Sequence, residues 1–245
     1  MSVLSGIFRR GSEPPSCSAV IVAAGASLRM AGEDKLYKEI CGLPVLAHTL
    51  MAFEKCGAVR EIIVVVRWEY LEVVAAFCRS YGIDKAVKIM TGGETRLESV
   101  INGVFAVSKD AGYIAIHDGA RPCIENSVIE GALKEAVRSH AAAPAVPVSS
   151  TLKKVKDGVI IETIDREGMY EIQTPQVFSA DLIKAALTNA RKKSVEVTDD
   201  CMAAELIGFP VHITEGSAYN IKITTKDDLL MAEAILLKRD ATGAP

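Results

Sequence analysis

Ala19–Lys38 reads AVIVAAGASLRMAGEDKLYK and decides how the rest of the chain is read. A short apolar run, Ala19-Val20-Ile21-Val22-Ala23, ends abruptly in Ala24-Gly25-Ala26-Ser27, and Arg29 and Lys35 follow at once. A buried strand that runs into a small-residue loop brings backbone N–H groups close to an anion, and consecutive N–H groups make a concavity that suits phosphate. Two familiar phosphate motifs fail here. The dinucleotide fingerprint needs glycine at three positions, and the frame Gly25-Ala26-Ser27-Leu28-Arg29-Met30 has one. The G-x-x-x-x-G-K-[ST] string of P-loop proteins occurs nowhere in the chain. What remains is A-A-G-x-x-x-R-M followed by lysine, a small-residue loop with two cations close by. The plain alternative is an ordinary strand-to-helix turn with a surface Arg and Lys.

Outward from this stretch, apolar runs alternate with helical patterns. Strands are expected at Ala19–Ala23, Glu61–Val66, Val87–Met90, Tyr113–His117, Ala143–Val148 and Val211–Thr214. Helices are expected near Pro44–Lys55, Glu69–Tyr81, Arg96–Val107, Glu125–His140, Ala180–Arg191, Thr198–Leu206 and Thr225–Leu237. Strands with almost no polar alternation are covered on both faces, which predicts an α/β fold: a Rossmann-like, mostly parallel sheet with helices on both sides. Ligands of such sheets sit outside the carboxyl ends of the strands. Thr151–Ile164 breaks the rhythm, with two β-rich runs around Asp157-Gly158. That dipeptide is a strong hairpin signal and predicts a protruding β-arm, about residues 149–172, whose apolar run Val159-Ile160-Ile161 needs cover. A second subunit or the arm's own domain could supply it. A single domain is expected over 18–239, with disordered tails at 1–17 and 240–245.

Composition narrows the partners. The 245 residues carry 28 Lys and Arg against 31 Asp and Glu, a net charge of −3. No global basic field points to nucleic acid or to an anionic membrane, so a phosphate site must be a local cluster of cations. The six cysteines are dispersed, with no C-x-x-C. Together with an N-terminus that lacks an apolar signal region, this predicts reduced thiols and a cytoplasmic protein.

Three further segments can carry chemistry. Asp118 ends a strand, where a carboxylate suits Mg²⁺ bridging phosphates, or simply a turn. His117 points to the opposite face and reads as structural. Gly92-Gly93-Glu94-Thr95-Arg96-Leu97-Glu98-Ser99 opens a helix with room for a base or phosphate and with donors at Arg96 and Ser99, or is an ordinary Gly-rich turn. Lys222, between Ile221 and Ile223 in a short β-like run, points away from the core into solvent or a site.

These pieces, in order, resemble the 2-C-methyl-D-erythritol 4-phosphate cytidylyltransferase family of the non-mevalonate isoprenoid pathway. The matching strings are Ala23-Ala24-Gly25 with Arg29-Met30 and Lys35, Gly92-Gly93 with Arg96 and Ser99, and His117-Asp118 with Ala120-Arg121-Pro122. They continue with Asp165-Arg166, Gln173-Thr174-Pro175-Gln176, Thr198-Asp199 and Asn220-Ile221-Lys222. The resemblance implies CTP and methylerythritol phosphate as substrates, a divalent cation (Mg²⁺), and a homodimer interlocked through the arm. It implies three catalytic cations: Arg29 and Lys35 hold the triphosphate, and Lys222 helps bring the nucleophile and the α-phosphate together. Ala23, Ala24, Gly25, Ala26, Ser27, Gly92, Arg96, Ser99, Asp118 and Gly119 would bind nucleotide. Asp118, Arg121, Thr151, Arg166, Thr174 and Thr198 would bind the second substrate, with Thr151 and Arg166 reaching the partner's site, and Asp118 is the candidate metal ligand. The chain departs from the family's usual residues at Ser27 (Gly), Asp34 (Pro), Leu36 (Gln), Gly119 (Ala), Asp200 (Glu) and Tyr219 (acidic). Rival expectations are a ribitol 5-phosphate cytidylyltransferase, whose loop is usually A-G-G, and a silent nucleotide-binding relative.

Overall fold

The elements follow the expected alternation in a computed structural model, which describes residues 16–25 and 34–242. In chain order they are β1 (Cys17–Ala23), β2 (Glu39–Ile40), β3 (Leu43–Pro44), α1 (Val45–Lys55), β4 (Val59–Val66), α2 (Leu71–Ser80), β5 (Ala86–Thr91) and α3 (Arg96–Ala106). They continue with β6 (Tyr113–Asp118), α4 (Asn126–Ser139), β7 (Ala141–Pro147), β8 (Leu152–Lys156), β9 (Val159–Ile164) and β10 (Tyr170–Ile172). The last are β11 (Gln176–Ser179), α5 (Ala180–Lys192), α6 (Asp200–Glu205), β12 (His212–Glu215) and α7 (Lys226–Thr242).

The main sheet runs β10-β7-β11-β6-β1-β4-β5, with β12 also paired to β7. Its β6-β1-β4-β5 half is parallel throughout. β1 shows why these strands do not alternate. Ala19, Ile21 and Ala23 pack into the core shared with α1, α2, α4 and α7, while Val20 packs on the opposite face with α3, α5 and α6. Both faces are covered, so both must be apolar.

Register aligns the carboxyl ends. Ala23 pairs with Val66, Val66 with Thr91, and Val22 with Asp118. The chain runs from β1 outward through β4 and β5 and then returns to place β6 on the other side of β1. The crevice between the ends of β1 and β6 is therefore a topological switch point, where ligands of such sheets bind.

Beyond β6 the sheet differs from the expectation. The unpredicted β11 inserts antiparallel between β6 and β7, and β10 pairs antiparallel with β7. Both are short and owe their strand state to neighbours far away in sequence. The expected run around Lys222 is not a strand. Tyr219–Thr225 is irregular, held by Ile223, which donates its N–H to the Ala120 carbonyl at 2.9 Å and buries its side chain completely.

The hairpin forms its own two-stranded sheet of β8 and β9. Lys156 pairs with Val159 across a two-residue turn in which Asp157 and Gly158 both have positive φ, 50° and 79°. That is the type I′ geometry that Asp-Gly favours. Val155, Val159, Ile160 and Ile161 are all more than half exposed. All six cysteines are free. No helix of the described residues is long and apolar enough to cross a membrane.

Candidate active site

The aligned strand ends open into a cavity of about 570 Å³. Its described walls come from the loops at those ends: Ala24-Gly25 after β1, Arg67 after β4, Gly93 to Arg96 after β5, and Asp118 and Ala120 at β6. Lys35 and Lys222 complete it from two segments far apart in sequence. Four cations, Lys35, Arg67, Arg96 and Lys222, thus face one hollow in a chain of net negative charge.

Asp118 is the electrostatic centre. Its Oδ2 lies 2.9 Å from Lys222 Nζ and 3.6 Å from Arg121 Nε, and its Oδ1 lies 3.9 Å from Arg96 Nη2. Burial alone would raise its pKa; Lys222, Arg96 and Arg121 outweigh it and hold the carboxyl well below the usual range. Asp118 is therefore an anion at any working pH, and it fixes the Lys222 ammonium at the mouth of β6.

Its strand neighbour His117 faces away, as the pleat requires. The ring is fully buried against Phe53, 4.8 Å between centroids, and burial pushes its pKa down to about 3. The Thr174 hydroxyl accepts from the Asp118 N–H at 3.1 Å, so its one hydrogen goes to His117 Nδ1 at 2.9 Å. Thr174, 4 % exposed, thus locks the two residues that end β6.

The loop after β5 is built for close approach, although the closest neighbour is protein. A Cβ on Gly92 would meet the Ala24 side chain at 2.4 Å and Ser99 Oγ at 2.6 Å. Ser99 accepts from the Gly93 N–H at 3.1 Å and donates to the Thr95 carbonyl at 3.0 Å. Thr95 and Glu98 form a reciprocal capping box at the start of α3. Gly92 lines a smaller adjoining hollow with Trp68 and Arg67 rather than the main cavity.

Arg96 makes a fork-to-fork pair with Asp200, at 3.1 and 2.7 Å. Asp200 is completely buried, and Gln176 Oε1 receives the N–H groups of Asp200 and Cys201. Burial raises the Asp200 pKa, while the Arg96 pKa moves up because its carboxylate partners outweigh desolvation. Arg67 is the residue that the sequence reading passes over, while Asp200 and Gln176 entered it only through the family strings and departures, without a role in the site.

Gly119, Arg121 and Thr198 are not among the described residues that wall the cavity. Gly119 forms a packed corner, donating to the Val22 carbonyl and accepting from Thr49. Arg121 is largely buried and donates to the Asn220 carbonyl at 2.6 Å, tying the Lys222 segment to β6. Thr198 is exposed just before α6. Thr151 is exposed on the arm, and Arg166 lines a separate hollow of about 510 Å³ at the arm's base, donating to the Ser149 carbonyl. Ala26, Ser27 and Arg29 lie outside the described residues.

Comparison with known proteins decides the family. The family model described as 2-C-methyl-D-erythritol 4-phosphate cytidylyltransferase matches residues 17–238. The chain belongs to this family. A member from Halalkalibacterium halodurans is 42 % identical over 224 residues, covering 91 % of this chain and 98 % of the relative. One from Dehalococcoides mccartyi is 42 % identical over 221 residues, 90 % and 96 % of the two chains. The crystal structure of 4-diphosphocytidyl-2C-methyl-D-erythritol synthase from Anaerococcus prevotii superposes with a TM-score of 0.81 at 29 % identity, over 91 % of this chain and 97 % of that one. The cytidylyltransferase structure from Thermus thermophilus gives 0.73 at 29 % identity, over 89 % and 98 %.

Membership makes the chain a cytidylyltransferase, and it gives the departures from the family pattern a physical setting. Leu36 is 3 % exposed, a core residue. Asp34 caps the turn that carries Lys35. Asp200 makes the full two-point pair with Arg96. Tyr219 is half exposed, with Lys238 Nζ 5.4 Å above its ring.

Proposed function

We propose that this chain transfers the cytidylyl group of CTP to 2-C-methyl-D-erythritol 4-phosphate, giving 4-diphosphocytidyl-2-C-methyl-D-erythritol and pyrophosphate in the cavity at the carboxyl ends of β1 and β6. The observation that carries the reading is that Lys35, Lys222 and Asp118 wall one hollow, with Lys222 paired to Asp118. The attacking group is a phosphate monoester, with a second pKa of about 6, so it is an anion already and needs no base. Its oxygen bonds to the α-phosphorus as the bond from that phosphorus to the β-bridging oxygen breaks, and pyrophosphate leaves with the electron pair. The barrier is the approach of an anion to a polyanion, and fixed cations are what lower it. His117, buried and neutral, faces away from the cavity and takes no part in proton transfer.

In this reading Lys35 and Arg29 hold the triphosphate. Lys222, oriented by Asp118, draws the two phosphates together. Ala23, Ala24, Gly25, Ala26 and Ser27 carry the backbone past the phosphates, and Gly92, Arg96 and Ser99 shape the base subsite. Asp118 also fits Mg²⁺. Its carboxylate supplies hard oxygen ligands, and Mg²⁺ is commonly bound by one or two carboxylates with the rest of its shell from phosphates and water. No cluster of three or more His, Cys, Asp or Glu is gathered among the described residues, so the nucleotide's own phosphates would complete the shell. Bound there, the ion would neutralise charge on the triphosphate.

The working form is a cytoplasmic homodimer joined through the β8–β9 arm. Thr151 and Arg166, remote from their own chain's cavity walls, then recognise methylerythritol phosphate in the partner's cavity, beside Arg121, Thr174 and Thr198. The exposed Val155, Val159, Ile160 and Ile161 support this, because an uncovered apolar hairpin is unstable in water.

Pyrophosphate release tests the reading. CTP with methylerythritol phosphate and Mg²⁺ should turn over best among the four nucleotides, and chelator should abolish turnover. Equal use of ATP, full activity in chelator, or preference for ribitol 5-phosphate would overturn it.

A further inference from the structure

Lys35 stands on weak local footing. It opens a single 3-10 turn, Lys35–Tyr37, and one such turn cannot hold its own shape. Four side chains hold it instead. Asp34 Oδ1 accepts from the Leu36 N–H at 3.1 Å, and the same carboxylate's Oδ2 takes Arg67 Nη2 at 2.5 Å. Arg67 directly follows the last residue of β4, so the sheet fixes its backbone. Its guanidinium lies 4.9 Å from the centroid of the Tyr70 ring. Tyr70 in turn stacks on Tyr37 with centroids 3.8 Å apart and planes 13° from parallel. Tyr37 is the last residue of the turn that Asp34 caps. The circuit is closed: Asp34, Arg67, Tyr70, Tyr37 and back along the chain past Lys35.

Arg67 faces the cavity, yet its charge is balanced by Asp34 and by Glu69 at 3.3 Å. A cation held by two carboxylates adds little net attraction for a polyphosphate. A planar fork that meets a carboxylate on one side and an aromatic face on the other is a rigid strut, a use that suits arginine and not lysine.

We propose that Arg67, with Asp34, is a positioning residue for the transfer reaction: the clamp fixes the Lys35 turn to the end of β4 so that the ammonium meets the triphosphate without further ordering. This rests on the reading of Lys35 as a triphosphate ligand. Misplacing a catalytic cation by about an ångström costs up to about a hundredfold in rate.

The test combines kinetics with hydrogen exchange on the full-length protein. Arg67→Ala and Asp34→Ala should each lower kcat by about tenfold or more, with KM for methylerythritol phosphate unchanged. The double variant should be no worse than either single one. In a Lys35→Ala background, Arg67→Ala should cost nothing further. Amide exchange across residues 34–38 should quicken in Arg67→Ala, whatever the turnover. An unchanged exchange rate overturns the clamp, and so does an Arg67→Ala penalty that persists undiminished without Lys35. If wild-type protein fails to release pyrophosphate, the functional reading fails and the exchange comparison still decides the clamp. If Arg67→Ala does not fold, Arg67→Lys serves: it keeps the charge and loses the fork, and wild-type kinetics and exchange in it would equally overturn the proposal.

Discussion

Two apolar runs of nearly the same composition meet opposite fates. Val20-Ile21-Val22 on β1 is buried apart from partial exposure at Val22, while Val159, Ile160 and Ile161 on β9 are 64 %, 61 % and 55 % exposed. Both form strands, since β-branched side chains suit a pleated surface wherever it lies. What differs is cover. β1 has a strand on each side and helices above and below. β9 pairs only with β8, and neither strand joins the main sheet. Fully burying one such side chain is worth about 1.5–3 kcal/mol, a gain that β1 has realised and that the arm has not. The functional residues follow the same division. β1 and its neighbours bring Asp118, Arg96, Lys35 and Lys222 to one cavity, whereas Thr151 and Arg166 stand on or beside the arm, away from it.

The sharpest way to break this contrast is to remove a cation from the covered half. Lys222→Ala should lower pyrophosphate release by about a hundredfold or more, the scale of one lost transition-state contact. The far-UV circular dichroism spectrum should stay native, because the lysine lies at the surface of its segment. Turnover within a few fold of wild type would remove Lys222 from the reaction.

Next in size is the core beneath that cavity. Ile63, 1 % exposed on β4, should cost about 2–5 kcal/mol of unfolding free energy when cut to alanine, read from urea denaturation. A loss below about 1 kcal/mol would mean that the parallel half is less tightly packed than its burial implies.

A smaller but more specific signal comes from mixing subunits. Inactive Arg166→Ala and inactive Lys222→Ala chains, allowed to exchange, should recover roughly a quarter of wild-type turnover, since half of the dimers are mixed and one site of each is whole. A verified mixed dimer with no recovery would mean that Arg166 serves its own chain.

The gentlest test touches only the arm. Ile160→Asp should move the protein toward the monomer in gel filtration while its circular dichroism spectrum stays unchanged, because in the lone chain this side chain has no cover to lose. Identical elution of variant and wild type would show that the arm's apolar face does not hold the dimer.

The sequence by itself determined most of what depends on a few neighbouring residues, although the β-like run around Lys222 did not become a strand. Unbroken apolar runs told of strands covered on both faces, and Asp157-Gly158 told of a tight hairpin. The Gly92–Ser99 stretch marked the start of α3, and Asp118 could be placed at a strand's end with His117 turned away. Period and turn chemistry act over about two to four residues, so a linear reading reaches them. The order of motifs then pointed to the family that the comparisons show.

Only the tertiary structure decided what depends on residues far apart. The four-residue β11 takes its place from β6 and β7, and nothing in Gln-Val-Phe-Ser alone selects an antiparallel slot. Arg96 finds Asp200 across 104 positions, and Arg67 finds Asp34 across 33. Asn220 donates its side-chain N–H groups to Gln173 Oε1 and to the Thr174 carbonyl, and so carries the Lys222 segment to Asp118. A buried charge needs a partner, yet the chain does not say which one. That choice belongs to the packing of the whole, because an ion pair is set by distance in space and carries no trace of its spacing in sequence.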